Sequence, residues 1–315
     1  MSESLERIIV SCIERQTSLR YILYPLSLLF QAGVILRNKA YDRGWLSQKR
    51  IPNQVISIGN IVAGGTGKTP FLMLLLKAVA KGTVLTRGYR TADEPRMIVN
   101  RLPHIGVRIG KNRIKGAVGA EGPIFLDDGM QYRKLHRDIE IVVMNGEDLF
   151  GKGYFLPRGF LRDSPERLAR ADYIILNHVD RQAQFDELEK QIRRYSAAPI
   201  IGTSFVLRRC YEGQKVALFC GIGSPATFIK AVEKGGGQVV NTLILPDHVA
   251  PTKKELKEFS LVSKEKGAER LLCTEKDWVK LETPLESHLD IECAYGEMEV
   301  IYGESEFEAL MRKIV

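Results

Sequence analysis

Twelve consecutive residues, Gly59-Asn60-Ile61-Val62-Ala63-Gly64-Gly65-Thr66-Gly67-Lys68-Thr69-Pro70, constrain this chain more than any other stretch. An apolar run, Val55-Ile56-Ser57-Ile58, stands before them and reads as a buried strand. Residues 71–79 stand after them and read as a buried helix. Strand, glycine-rich turn closing on Gly-Lys-Thr, then helix is the context of a phosphate-binding loop. Glycine lets backbone N–H groups close around phosphate oxygens without Cβ clashes, and the helix N-terminus adds free donors and a positive dipole end. In that arrangement Gly64, Gly65, Thr66 and Gly67 cradle phosphate, Lys68 reaches the β/γ-phosphates and the Thr69 hydroxyl ligates Mg²⁺. The match departs from the common pattern at Val62, where glycine is expected. It departs from the variant loop at Ala63, where that loop carries its signature lysine. The bland alternative is a glycine-rich turn with no ligand.

The rest of the chain fits around that turn. From 51 to 204 short apolar runs alternate with helical periodicity. Strands are expected at 83–86, 107–109, 123–126, 139–144, 173–176 and 199–204, with helices at 93–101, 111–120 and 182–195. Such alternation implies a parallel sheet covered by helices on both faces. Near 205–214 the composition turns polar, and a second alternation begins at 216. Its helices are expected at 225–234, 253–266 and 306–313, its strands at 238–245, 270–274 and 290–294. Ser305, with Glu308 three residues on, reads as a capping box for the last helix. The expected fold class is therefore α/β: a P-loop NTPase-like parallel sheet, a smaller second α/β domain and an N-terminal membrane-associated helix. The expected units are 1–50, 51–207 and 208–315.

The N-terminal unit is argued from length and charge. Residues 21–36 form the one long apolar run and would span about 24 Å as a helix. A bilayer core needs about 20 apolar residues, and Pro25 and Gln31 weaken the run further. Acidic residues precede it and no small-residue cleavage site follows, which argues against a signal peptide. Half of the net charge of +8 falls within residues 1–50. Basic flanks with Tyr21, Tyr24, Tyr41 and Trp45 nearby suit a helix lying in one leaflet. A helix packed on the domain is the alternative, and part of the run can serve both. No nucleic-acid-binding motif accompanies the basic excess, which leaves lipid and an anionic substrate as its expected partners. Five cysteines without a Cys-x-x-Cys pair fit neither a disulfide framework nor a zinc site.

Phosphoryl transfer also needs a metal to neutralise charge and a group to take the acceptor proton. Asp127 and Asp128 end an apolar strand, where a second acidic motif is expected and a carboxylate can hold Mg²⁺ directly or through water. Two residues are candidates for the base. Asp93 stands at a helix start, where its ordinary role is an N-cap. His248, after Asp247, ends a strand of the second domain, where an Asp–His pair across a cleft can move a proton. Arg87, Arg90, Arg113 and Arg162 follow strands or open helices and suit an anionic acceptor or the transferring phosphoryl group. Gly221-Ile222-Gly223 is only half of a dinucleotide fingerprint.

Taken together these motifs resemble the tetraacyldisaccharide 4′-kinases of lipid A biosynthesis. The resemblance rests on Gly59-Asn60 through Pro70, Thr86-Arg87-Gly88-Tyr89, Asp93-Glu94-Pro95, Leu126-Asp127-Asp128-Gly129 with Gln131, and Gly151 with Leu156-Pro157. Leu161-Arg162, Leu168-Ala169-Arg170-Ala171-Asp172, Pro246-Asp247-His248 and Thr274-Glu275-Lys276-Asp277 continue it, in the family's order over residues 20–280. It implies transfer of the ATP γ-phosphate to the 4′-hydroxyl of a lipid A disaccharide 1-phosphate, by a monomer at the cytoplasmic face of the bacterial inner membrane. It implies that Asp128, Gln131 and His248, with Asp127 and Thr69, surround the metal. Asp93, helped by His248, is implied as the base; Arg87, Glu94, Arg113 and Arg162 are implied to hold the disaccharide and its phosphate. The sequence departs from the family in three places: only Arg90-Thr91-Ala92 separates the second and third motifs, Met130 and Tyr132 replace phenylalanine and histidine, and Asn112 replaces aspartate.

Two other classes remain on the residues alone. A P-loop GTPase expects Asn-Lys-x-Asp at a late strand end; Asn177-His178-Val179-Asp180 lacks the lysine. A non-catalytic membrane adaptor would not need Asp93 or His248.

Overall fold

The computed structural model describes residues 19–88, 93–247, 249–281 and 287–314, with side chains from Tyr21 onward. A short α1 (Leu19–Ile22) leads into α2 (Tyr24–Asp42). There follow β1 (Val55–Gly59), α3 (Lys68–Leu76), β2 (Gly82–Thr86), α4 (Asp93–Arg101), β3 (Ile105–Ile109), α5 (Arg113–Gly116), β4 (Ile124–Asp127), β5 (Ile139–Asn145), β6 (Tyr173–Asn177), α6 (Gln182–Ile192) and β7 (Ile200–Leu207). The remainder forms β8 (Lys215–Cys220), α7 (Pro225–Lys234), β9 (Gln238–Ile244), α8 (Lys253–Glu265), β10 (Arg270–Cys273), α9 (Glu275–Trp278), β11 (Ile291–Cys293), β12 (Gly296–Tyr302) and α10 (Glu304–Ile314).

Eight strands make one sheet in the order β12-β7-β6-β5-β1-β4-β2-β3, and four make a second in the order β11-β10-β8-β9. Every pairing is parallel except β12 against β7. The residue pattern explains why. In β5, Ile139, Ile141 and Val143 pack into the core on one face while Val142 and Met144 pack into the core on the other. In β6, Tyr173 and Ile175 alternate with Ile174 and Leu176 in the same way. A strand apolar on both faces must be covered twice, which is the condition of a parallel sheet. Helix α3 is apolar nearly all round, and Phe71, Leu72, Leu75 and Leu76 are fully buried beside β1.

The structure corrects several sequence expectations. Helix α3 opens at Lys68 rather than 71, because Gly67 takes a left-handed φ of 90° and turns the chain directly into the helix; Pro70 is tolerated in a first turn that needs no N–H. The expected helix over 111–120 shrinks to Arg113–Gly116, opened by the Asn112 side chain accepting from the Lys115 N–H and followed by Gly119 and Gly122 at positive φ. The last helix begins at Glu304, so Ser305 lies inside it and donates to Glu306 instead of capping. Strand β12 was not expected. It and α10 return to the large sheet, so position 208 marks where the small sheet begins but not where the chain leaves the large one.

Helix α2 is turned inside out relative to an ordinary surface helix. Its buried residues are Ser27, Val34 and Asn38. Ser27 Oγ donates to the Phe155 carbonyl at 2.7 Å, and Asn38 Nδ2 to Asp163 Oδ1 at 2.8 Å. Its last residue, Asp42, receives Arg133, Arg167 and Arg170. Facing outward are Leu26, Leu29 and Leu36, with Ile22 of α1 beside them; Leu29 is 70% exposed. Among the described residues no helix is long and apolar enough to cross a membrane.

Candidate active site

The loop after β1 and the acidic end of β4 meet because the strands are neighbours, with Ile58 opposite Asp127. Gly64 and Gly67 both have positive φ, which admits the tight turn. A Cβ at Gly67 would also strike the Asn177 amide at the end of β6. The loop is fastened from beneath by two buried asparagines. Asn60 Nδ2 donates to Thr66 Oγ1 at 3.0 Å, and Asn177 Nδ2 to the Thr66 carbonyl at 3.3 Å.

Asp128 is the centre of charge. It holds a left-handed φ of 53°, rare for a residue with a side chain and typical of functional turns. Arg162 forks onto both of its carboxylate oxygens and also reaches Asn60 Oδ1. Lys68 Nζ lies 3.7 Å from Asp128 Oδ1, and the buried Arg113 donates to the Asp128 carbonyl at 3.0 Å. Burial alone would push the Asp128 carboxyl up; the Arg162 hydrogen bonds and charge, then Lys68 and Arg113, outweigh it and hold it well below the usual range. Burial pulls the Lys68 ammonium down against the pull of Asp128. Asp127 differs: burial pushes it up, although Thr86 Oγ1 donates to it at 3.0 Å.

The donor set beside the loop suits a hard divalent cation. The Thr69 hydroxyl, the Asp127 and Asp128 carboxylates and Gln131 Oε1 are all oxygen donors. Gln131 Nε2 donates to the Asn60 carbonyl at 2.9 Å, while its Oε1 is buried without a hydrogen-bond partner. No group of three His, Cys, Asp or Glu among the described residues is placed to hold a metal by itself. A hard divalent cation there would take part of its shell from these oxygens and the rest from water or nucleotide phosphate, the usual arrangement for Mg²⁺.

The two sheets face each other by the ends of their strands. Past β8, a Cβ on Gly65 would lie 3.6 Å from Ser224 Oγ, and one on Gly223 would lie 3.9 Å from the Gly65 nitrogen. Past β10, α9 meets the start of α4. Lys276 Nζ lies 3.2 Å from Glu94 Oε1 and 3.1 Å from Asp247 Oδ1. Burial pulls Lys276 down, but Glu94 and Asp247 more than reverse it, so its pKa rises. Asp93 opens α4 with only 2% of its surface exposed, and Lys280 Nζ stands 3.8 Å from its Oδ2.

Of the residues expected from sequence, Lys68, Asp128, Arg113 and Arg162 are thus brought into contact, with Thr69, Asp127 and Gln131 beside them. Arg87 follows β2 and is exposed. Asp93 and Glu94 face the small sheet's α9 turn. His248 and Arg90 lie outside the described residues. From the residues alone Asn60, Lys276 and Lys280 carry no site role, and Asn177 only a place in the Asn177-His178-Val179-Asp180 string. Only the place of Lys276 within the Thr274-Glu275-Lys276-Asp277 string points to one. Asp180, the last residue of the guanine-like string, is taken by Ser204 Oγ at 2.8 Å and Lys234 Nζ at 2.9 Å.

A family model described as Tetraacyldisaccharide-1-P 4′-kinase matches residues 19–92 and 90–315. The tetraacyldisaccharide 4′-kinase of Chlamydia trachomatis is 37% identical, over 80% of this chain and 78% of that protein. That of Syntrophus aciditrophicus is 33% identical, over 84% and 85%. The crystal structure of LpxK from Aquifex aeolicus in complex with ATP superposes with a TM-score of 0.70 at 26% identity, covering 94% of this chain and 100% of that one.

Proposed function

The chain belongs to the tetraacyldisaccharide-1-P 4′-kinase family, and from that premise we infer how its residues divide the reaction. The protein is an ATP-dependent kinase of lipid A biosynthesis that phosphorylates the 4′-hydroxyl of a tetraacyl disaccharide 1-phosphate. The observation that supports a division of labour is the convergence of Lys68, Arg113 and Arg162 on Asp128 beside the glycine loop.

Gly64, Gly65, Thr66 and Gly67 bind the phosphates of ATP, and Lys68 moves from Asp128 to the β/γ-phosphates. Thr69, Asp127, Asp128, Gln131 and His248 would hold Mg²⁺, which when bound would supply positive charge to offset that of the phosphates. Asp93, helped by His248, takes the proton of the 4′-hydroxyl as its oxygen bonds to phosphorus and the bond to ADP breaks. Arg87, Glu94, Arg113 and Arg162 hold the disaccharide and its 1-phosphate. A base on one side of the cleft and a phosphate loop on the other suit direct transfer between donor and acceptor.

Helix α2 supports a peripheral, monotopic position at the cytoplasmic face of the inner membrane. Its polar side is turned to the protein, where Ser27 and Asn38 donate to Phe155 and Asp163, and its leucines are left outward. A leaflet is the environment that covers such a face. We assign the protein as a monomer, with an N-terminal segment over 1–50, a kinase unit over 51–207 to which β12 and α10 return, and a smaller unit that starts at 208.

The test is transfer of labelled γ-phosphate from Mg·ATP to tetraacyl disaccharide 1-phosphate in mixed micelles. A 4′-phosphorylated product that depends on the disaccharide is expected. ATP consumption with no such product overturns the reading.

A further inference from the structure

We propose that Lys280 is the positioning residue for Asp93, and that it sets the base from the small sheet. The inference rests on the reading of Asp93 as base. The Lys280 side chain is 7% exposed and its ammonium has three oxygen neighbours: Asp93 Oδ2 at 3.8 Å, Asp277 Oδ1 at 3.0 Å and the Gly221 carbonyl at 3.2 Å. Two of these oxygens accept hydrogen bonds from it, on Asp277 and Gly221, and the third, on Asp93, is its ion-pair partner; the three lie on three different segments.

Those segments are the point. Asp93 opens α4 on the large sheet. Asp277 is 1% exposed on α9; it accepts from Thr274 Oγ1 at 2.6 Å through Oδ2 and from the Gly221 N–H at 2.9 Å through Oδ1. Gly221 begins the turn whose Gly223 and Ser224 lie against Gly65 of the phosphate loop. A Cβ at Gly221 would run into the Val249 carbonyl, next to His248 in sequence. Lys280 therefore joins the acceptor-side carboxylate to the turn that sits over the phosphate loop. Fixed by two hydrogen bonds, the ammonium presents its charge to Asp93 Oδ2 from one position, and the ion pair draws the carboxylate toward it. Small misplacement of a reacting group is costly to turnover without weakening binding.

Removing the ammonium also leaves Asp277 and Asp93 buried without it, so stability must be separated from positioning. The full-length chain carrying K280M, K280R, D93N and D93N/K280M is compared in steady-state phosphoryl transfer, with thermal unfolding measured on each. K280M is expected to lower kcat by about 10- to 100-fold with KM for ATP within about threefold. K280R, which keeps the charge, recovers part of that loss. In the D93N background K280M is expected to add no further loss, since there is no carboxylate left to place. Should K280M fail to fold, K280M/D277N removes both members of the buried pair and is read in its place, with and without D93N. An equal fold-loss from K280M in both backgrounds overturns the proposal and leaves the base standing. An unchanged kcat in D93N alone removes the base itself, and the proposal with it.

Discussion

Lys68 and Asp128 show what a charged pair does before its ligand arrives. Burial and the neighbouring Arg162 charge disfavour the Lys68 ammonium while Asp128 favours it, and Arg162, Lys68 and Arg113 hold the Asp128 carboxyl ionised. Lys68→Met should lower turnover by about 10²- to 10³-fold, the usual loss when one donor to developing phosphate charge is removed. Steady-state transfer measures it, and turnover within a few-fold of the parent would place the lysine outside the reaction. Asp93→Ala should lower kcat by about 10²- to 10⁴-fold with little change in ATP affinity, as expected for a lost general base; equilibrium nucleotide binding separates the two. At this scale the sequence was most legible where chemistry is local. Gly-Lys-Thr and Asp127-Asp128 carry their meaning in adjacent residues. Asn60 and Asn177 do not, because an asparagine that fastens a loop is recognisable only once the strand bearing it is known to lie beside that loop. Lys280 is hidden for the same reason: 187 positions separate it from Asp93 in number, and only the facing of the two sheets brings them to 3.8 Å.

At the scale of elements, period and composition exposed the strands well, since a buried parallel strand is apolar on both faces and stands out from polar turns. Strand β12, Gly296-Glu297-Met298-Glu299-Val300-Ile301-Tyr302, was missed because it is an edge strand. It alternates charge with apolar residues, and it is antiparallel to β7 where the alternating pattern predicted parallel neighbours. Helix α3 is the element on which both phosphate loop and core depend. Leu72→Ala, at a fully buried position, should cost about 2–5 kcal/mol, read as a lowered midpoint in urea. Helix α2 poses the reverse case. Its hydrophobicity was visible, but its orientation was not, because Ser27 and Asn38 could not be known to face Phe155 and Asp163. With Leu29 and Leu36 outward, Leu29→Glu/Leu36→Glu should release the protein from anionic vesicles while leaving ATP affinity within about twofold, because a charge on a face inserted among lipid is costly and one facing water is not. Co-sedimentation with vesicles decides it; retained binding would mean that the leucine face is not what meets lipid.

For the whole molecule, the governing fact is that two sheets, one parallel and one parallel but for β12, turn the ends of their parallel strands toward one another. Ligands of open α/β sheets bind beyond those ends, and here two such edges make one cleft. The large edge carries the loop, Asp127 and Asp128. The small edge carries the Gly221–Ser224 turn and the α9 lysines. Each half can be intact and the enzyme still inactive if the halves are held apart. Gly223 offers a way to test this. Its hypothetical Cβ would lie 3.4 Å from Asp247 Oδ2 and 3.9 Å from the Gly65 nitrogen, so one methyl group fits in ordinary contact and a ring does not. Gly223→Ala should leave kcat within about threefold, whereas Gly223→Phe should lower it by at least about tenfold, because displacement of one edge by an ångström or more misaligns donor and acceptor. Thermal unfolding should change little in either variant, since the ring would enter the cleft and not a packed core. Comparable activity in the alanine and phenylalanine variants would show that the two edges do not need to approach as closely as they stand here. A parallel loss of stability and turnover would instead place Gly223 in the packing of the small sheet.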